Sequence, residues 1–160
     1  MLHDFQLAGR RVRLWQRPGE TYGHVLMKAL GYAMFAGEYP NLEIELPVGL
    51  RYKPDLVALA ADGDGRQATG ARFKFWGECG LVTVRKVAWL LKHGRLERLV
   101  LFKIDCGVAP LVRELRDAVD ERYRRGGRLA LVNFVADIAE RTAGREIARV
   151  PAGWYTTTVI

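Results

Sequence analysis

Hydrophobic and polar residues follow two different periods along this chain, and the period changes from one segment to the next. Apolar residues three and four positions apart predict helices at 20–36, 83–94 and 110–125. Alternating or short continuous apolar runs bounded by glycine and proline predict strands at 42–47, 54–61, 71–79, 98–104 and 128–136. A hairpin around Gly9 is expected at 2–16, and a short helix and a terminal strand through WYTTTVI are expected after residue 136.

The central elements therefore come in the order helix, three strands, helix, strand. Because helices and strands are interleaved, we predict an α/β (α+β) fold in which a mixed central sheet is flanked by helices. A chain of 160 residues is most simply one domain, here residues 1–160, and is long enough to bury one substantial core.

Composition and charge indicate the cellular setting and the class of partner. No apolar run approaches the roughly 20 residues that span a bilayer, and the N-terminal MLHDFQLAGRR has no apolar signal core. Two cysteines, Cys79 and Cys106, cannot form a disulfide framework. We therefore expect a cytoplasmic protein with no membrane partner. The net charge of +7 suits a polyanionic partner such as nucleic acid.

Several kinds of chemistry are excluded or disfavoured by what the sequence contains. The chain has no serine, no glycine-rich phosphate-binding motif and no two histidines at i, i+4, which argues against a serine hydrolase, a P-loop enzyme and a helical zinc pair. The run DGDG at 62–65 has its glycines at the wrong positions for a calcium loop and is better explained as a hairpin turn. Cys79 is expected to be a small apolar strand residue and not a nucleophile.

A carboxylate in an apolar strand provides the first candidate chemistry. Glu78 follows the aromatic run FKFW at 73–76, where a buried charge is unfavourable unless a cation, a metal or hydrogen bonds satisfy it. Asp55 begins the strand that precedes the predicted turn, and Glu78 ends the strand that follows it. Antiparallel pairing should place the two carboxylates side by side at one sheet edge. A shared hard cation, Mg²⁺ or Mn²⁺, would relieve their repulsion; the alternative is that Asp55 caps the strand and Glu78 reaches solvent.

These residues and their order resemble the PD-(D/E)XK nuclease superfamily, and within it most closely the YaeQ family. Pro54-Asp55 matches the P-D half of the motif, Glu78 the second acidic position, and Glu20 an additional acidic position. The resemblance covers about residues 10–105 and includes ETYGHVLMKALGYAMFA, KPDL and FWGECG. It implies a restriction-endonuclease-like αβββαβ core and a metal-dependent nuclease that hydrolyses phosphodiester bonds, with DNA expected ahead of RNA. Asp55 and Glu78 would bind Mg²⁺ or Mn²⁺.

The lysine of the superfamily motif is missing at its usual position, which Gly80 occupies. Some members supply the lysine from the following helix, so the resemblance makes Lys86 the first candidate and Arg85 the second. If Val84, Val87, Ala88 and Leu91 face the sheet, the helical period turns Lys86 nearly opposite that stripe, which slightly favours Arg85. Lys74 and Lys53 are further candidates from strand parity, and each of these cations can equally be a solvated surface residue.

Other residues complete the candidate site and leave two functions open. Arg85, Arg124 and Arg125 are candidate nucleic-acid contacts, the last two within the cationic segment 121–128. His24 could join the site by hydrogen bonding, whereas Trp76 and Trp89 are expected to pack in the core and not to stack on bases. The alternative to a nuclease is a nucleic-acid-binding or interaction protein that keeps the fold without turnover. The absent lysine favours that alternative, whereas the retained Glu20, Asp55 and Glu78 favour the nuclease.

Overall fold

A computed structural model describes residues 1–60 and 70–160, so the predicted turn at 62–65 lies outside the described residues. The helices are α1 Tyr22–Phe35, α2 Val84–His93, α3 Val108–Ala118, α4 Glu121–Arg124 and α5 Ile138–Arg141, with a 3-10 turn at Ala152–Trp154. The strands are β1 Leu2–Leu7, β2 Arg10–Trp15, β3 Glu43–Ile44, β4 Leu56–Leu59, β5 Phe73–Cys79, β6 Leu99–Ile104, β7 Leu129–Phe134, β8 Glu146–Ile147 and β9 Tyr155–Val159.

Six of these strands form a mixed sheet in the order β3-β4-β5-β6-β7-β9. Strand β4 is antiparallel to both of its neighbours, β3 and β5; β5, β6 and β7 are parallel, and β9 returns antiparallel to β7. The predicted order of helix, three strands, helix and strand is confirmed as α1, β3, β4, β5, α2 and β6. Helices flank this mixed sheet, as the sequence predicts.

The alternation of side chains along the central strands gives the sheet two apolar faces. Leu56 and Phe102 pack with α1 on one face, while Val57 and Leu101 pack with α2 and α3 on the other. Because both faces are covered, the central strands are apolar on both sides. None of the helices in the described residues combines the length and apolar character needed to cross a membrane.

Two glycines allow α1 to lie close to the sheet. A Cβ on Gly31 would come 2.5 Å from Cδ1 of Leu56, and a Cβ on Gly77 would come 2.9 Å from Cβ of the same leucine. Both distances are shorter than ordinary van der Waals contact, so glycine at 31 lets α1 approach the sheet, and glycine at 77 leaves room for the Leu56 and Phe102 side chains beneath the helix. The close approach brings the first turn of α1 to the ends of β4 and β5.

The predicted N-terminal hairpin is present, but the third strand that pairs with it, β8, was not predicted. The hairpin turns at Ala8 and Gly9, both at positive φ, as a two-residue hairpin turn requires. Strand β8 pairs in parallel with β1 and makes a separate three-stranded sheet in the order β2-β1-β8.

Two predicted elements have the wrong boundaries. The helix predicted at 110–125 is interrupted, because Val119 is extended and the Asp120 side chain accepts a hydrogen bond from the Arg122 N–H to begin α4. The strand predicted at 42–47 is only Glu43–Ile44, because the next residue, Glu45, turns to a φ of +56°.

Candidate functional site

Asp55 and Glu78 lie opposite each other at one end of the β4–β5 pair. Leu56 pairs with Gly77, which places Asp55 one step further along, across from Glu78. The Asp55 N–H donates to the Gly77 carbonyl at 3.1 Å, and the Cys79 N–H donates to Oδ2 of Asp55 at 2.7 Å. The hairpin therefore brings together the two carboxylates singled out by the sequence. They lie where parallel strands β5, β6 and β7 have their carboxyl ends, an edge at which α/β proteins commonly bind ligands.

Glu78 is buried and is satisfied by two protein donors. Only 4% of the residue is exposed. The Trp76 indole donates to Oε1 at 2.8 Å, and Nζ of Lys86 lies 2.5 Å from Oε2. Burial raises the pKa of Glu78, the Lys86 and Trp76 hydrogen bonds oppose that rise, and the nearby Asp55 charge adds to it. The net pKa is above the ordinary value, so the charged carboxylate is held at an energetic cost.

Lys86 faces the site, so the expectation that helical geometry favours Arg85 is wrong. The buried residues of α2 are Val87, Leu90 and Leu91, which centres the apolar face nearer Leu90 than predicted. Lys86 lies one turn before Leu90 and therefore points toward the sheet edge. Its ammonium also lies 5.3 Å from the centroid of the Tyr52 ring. Arg85, on the same turn, is exposed to solvent.

His24 connects the first turn of α1 to Asp55. Its Nε2 lies 3.2 Å from Oδ1 of Asp55 and 3.5 Å from Oε1 of Glu20. Burial alone would raise the pKa of Asp55, but the hydrogen bonds from His24 and from the Cys79 N–H, together with the Lys28 charge, lower it below the ordinary value. The pKa of Asp55 is thus lowered, whereas the pKa of its neighbour Glu78 is raised.

Glu20 belongs to a second charged group that the sequence reasoning missed. It precedes α1, whose N-cap is Thr21, and its Oε1 lies 2.6 Å from Nζ of Lys28. The same ammonium contacts Glu45 at 3.1 Å, although Lys28 is only 1% exposed. Burial would lower the pKa of Lys28, but the two carboxylates raise it. The signal was present in the sequence, because Glu20, His24 and Lys28 recur at intervals of four and so share one face.

Lys103 is a third cation at this edge, and the sequence reasoning missed it as well. It lies near the end of β6 and donates to the Gly80 carbonyl. Burial lowers the pKa of its ammonium. The edge therefore combines the carboxylates of Glu20, Asp55 and Glu78 with three lysines.

Solved structures of other proteins are similar to this fold. No family model matches the sequence, and no curated protein matches it. Among solved structures, the chain is similar to the YaeQ protein from Xanthomonas axonopodis pv. citri, with a TM-score of 0.61 and 17% identity over 99% of this chain and 93% of that one. It is also similar to the YaeQ protein from Pseudomonas syringae, with a TM-score of 0.58 and 18% identity over 89% of this chain and 76% of that one. The chain has the YaeQ fold.

Several residues singled out by the sequence lie away from the carboxylate edge of this YaeQ fold. Arg124, whose Nε donates to the Val119 carbonyl, and the exposed Arg125 end α4, just before β7 begins. They therefore lie toward the end of the sheet opposite Asp55 and Glu78, and they are separated from Arg85. Lys74 is exposed near the start of β5, and Lys53 is exposed two residues before Asp55.

The remaining candidates lie in the core of the YaeQ fold or pack against it. Trp76 is fully buried, and Trp89 packs edge-on against Tyr52 at 5.3 Å between ring centroids. Cys79 is buried, and burial raises its pKa well above the ordinary value, which makes it a poor nucleophile.

A cleft lies to one side of the carboxylate edge. A cleft of about 730 Å³ runs beside β2 and β3 and reaches the charged groups at Glu45, while Asp55 and Glu78 do not line it. Within residues 1–60 and 70–160, no group of three or more His, Cys, Asp or Glu side chains is arranged to hold a metal ion. The geometry that can act on a ligand is thus a pair of carboxylates with lysines beside them.

Proposed function

We propose that this protein is a nuclease-like phosphodiesterase that uses Mg²⁺ or Mn²⁺ to hydrolyse phosphodiester bonds in nucleic acid, with DNA expected ahead of RNA. The observation that carries the proposal is the meeting of two carboxylates and a lysine at one sheet edge, with Asp55 across from Glu78 and Lys86 on Glu78. The motifs that resemble those of PD-(D/E)XK nucleases, Pro54-Asp55 and Glu78, fall at this same edge.

The donor set suits a hard divalent ion. Mg²⁺ in proteins is commonly held by one or two carboxylates together with water and substrate phosphate oxygens. Each carboxylate oxygen of Asp55 and Glu78 accepts one hydrogen bond within the protein, while a carboxylate oxygen offers about two lone-pair sites. Both side chains therefore keep lone pairs for an ion. Lys86 covers Glu78 and has to turn aside for an ion to contact both carboxylates.

The side chains of the site have distinct roles in this proposal. A bound divalent ion supplies an activated water and offsets the charge that builds on the phosphate. Asp55 and Glu78 hold that ion, and His24 with the Cys79 N–H fixes the orientation of Asp55. Lys86 donates either to Glu78 or to a phosphate oxygen that approaches Glu78, so its positive charge stays at the edge in both cases.

A nucleic-acid-binding protein without turnover is the second candidate function. It is favoured by the pairing of every carboxylate of the site with a donor of the protein: Glu20 with Lys28, Asp55 with His24, and Glu78 with Lys86. A site whose charges are already compensated folds without a metal. In this candidate, the lysines and Arg85 contact phosphates and no bond is broken.

A cleavage assay with matched variants separates the two functions. Labelled single- and double-stranded DNA and RNA are incubated with the protein in Mn²⁺, Mg²⁺ or EDTA. We expect metal-dependent cleavage that falls about a hundredfold or more in Asp55→Asn and in Lys86→Met. Asp117→Asn and Lys92→Met remove exposed charges of the same types on α3 and α2 and should cleave like the wild type. Binding without cleavage in any metal would support the second candidate instead.

A further inference from the structure

The strand register places Lys103 beside the carboxylate pair. Cys79 pairs with Phe102 in the parallel β5–β6 ladder, so Lys103 lies one step further along, beside Gly80. Leu99 and Leu101 belong to the α2 and α3 face of the sheet. By alternation Lys103 is on that same face, where Lys86 of α2 contacts Glu78.

The two lysines on this face differ in how their charges are compensated. The ammonium of Lys86 is neutralised by Glu78 at 2.5 Å. Lys103 forms no ion pair with an acidic side chain in the described part of the chain, and its partner is the Gly80 carbonyl. An ammonium has three N–H donors, so two remain after that bond. The lowered pKa of Lys103 agrees with a cation that is half buried without a counter-charge.

Gly80, whose carbonyl accepts the hydrogen bond from Lys103, also lies next to His24. Its φ is +73°, which favours glycine, and a Cβ there would lie 3.2 Å from Nδ1 of His24. A larger residue at this position would press on His24, which orients Asp55. Glycine at this position therefore leaves His24 free to orient Asp55.

We propose that Lys103 binds the substrate phosphate at the carboxylate edge, in addition to Lys86, whose ammonium compensates Glu78 in the metal-free protein. The inference rests on the proposed function and deepens it, because it assigns a phosphate contact to a residue on β6. An uncompensated ammonium attracts a polyanion more strongly than one already paired, and a phosphate oxygen would supply the missing counter-charge.

Salt-dependent binding tests this assignment independently of cleavage. Binding of a fluorescein-labelled DNA oligonucleotide is measured in Ca²⁺ at several salt concentrations, for the wild type, Lys103→Met, Lys103→Arg and the exposed-lysine control Lys92→Met. Loss of one phosphate contact should lower the slope of log affinity against log salt by about 1. We expect Lys103→Met to show that loss and to bind about tenfold more weakly at low salt. Lys103→Arg and Lys92→Met should keep the wild-type slope.

Thermal unfolding of the same variants excludes a merely structural role. Lys103→Met removes a desolvated charge and should unfold at the wild-type temperature or above it. Wild-type slope and affinity in Lys103→Met would overturn the assignment of Lys103 while leaving the proposed function standing. A wild-type protein that binds no oligonucleotide would overturn both. A Lys103→Met protein that unfolds well below the wild type would also overturn the assignment, because Lys103 would then be needed for the fold.

Discussion

The ammonium of Lys86 lies 2.5 Å from Oε2 of Glu78, which joins the first turn of α2 to the end of β5. This contact explains how a carboxylate is tolerated within the apolar strand FKFWGEC. Together with the Trp76 indole, it gives both oxygens of Glu78 a donor. The pKa of Glu78 nevertheless stays above its ordinary value, because burial outweighs the two donors. The ionised Glu78 side chain next to Asp55 therefore lowers the stability of the folded protein.

Glu78→Gln should raise the stability of the metal-free protein at neutral pH by about 1 kcal/mol, a common size for a single substitution. The amide keeps the shape of the side chain and removes a charge that burial disfavours. The pKa of Glu78 is higher in the folded protein than its ordinary value of 4.5. Protonated Glu78 therefore stabilises the fold below pH 4.5, and this stabilisation is lost as the pH rises through the folded-state pKa. The advantage of the variant should therefore grow as pH rises above 4.5.

Urea unfolding at pH values from about 4 to 8 measures this effect, with Glu114→Gln on the exposed face of α3 as the control. The control should show no comparable gain with pH. A Glu78→Gln protein that is less stable than the wild type at neutral pH would mean that the ion pair with Lys86 contributes net stability, contrary to the expected sign.

Lys28→Met should destabilise the fold by about 3 kcal/mol. The lysine is buried between Glu20 and Glu45, and its loss leaves two carboxylates without their cation, the situation in which breaking a buried pair is most costly. The double variant Glu20→Gln with Lys28→Met should recover part of that loss. Chemical denaturation of the wild type, both single variants and the double variant gives the coupling energy. Additive effects of the two substitutions would show that Glu20 and Lys28 do not interact.

Gly77→Ala should destabilise the protein by about 1–3 kcal/mol, because the added methyl group meets Leu56 at 2.9 Å and Phe102 at 3.0 Å. Gly37→Ala is the matched control, since nothing lies within 4 Å of a Cβ at that position. Thermal and urea unfolding of both variants test whether the packing of Leu56 and Phe102 depends on this glycine. Equal stabilities for the two variants would show that these side chains can shift without cost.

The carboxylate pair could be predicted from the sequence because it depends on local pairing. Two apolar runs joined by a turn give an antiparallel hairpin, and antiparallel pairing alone places Asp55 across from Glu78. The αβββαβ order follows in the same way from periodicity. The sequence signal for the break in the helix predicted at 110–125 is Asp120 alone, and aspartate also occurs on exposed helix faces.

The features that the sequence did not predict depend on contacts between distant segments. The pairing of β8 with β1 brings Glu146–Ile147 to the N-terminal hairpin, and no local pattern specifies it. The direction of Lys86 depends on which side of α2 packs against the sheet. Leu90 is buried on that side, whereas Val84 is not among the buried residues of the helix. The burial of Lys28 could not be predicted from the sequence, because a lysine inside an apolar helix is expected to be exposed, whereas here Glu20 and Glu45 stabilise it in the interior.

Crystals of the protein soaked in Mn²⁺ test whether Asp55 and Glu78 share one divalent ion. We predict an anomalous scattering peak between the two carboxylates, about 2.1 Å from an oxygen of each, the distance typical of the similar ion Mg²⁺. Lys86 should then have turned away from Glu78, and the peak should be absent from Asp55→Asn crystals. A map without a peak, in which Lys86 still contacts Glu78 and His24 still contacts Asp55, would contradict the claim.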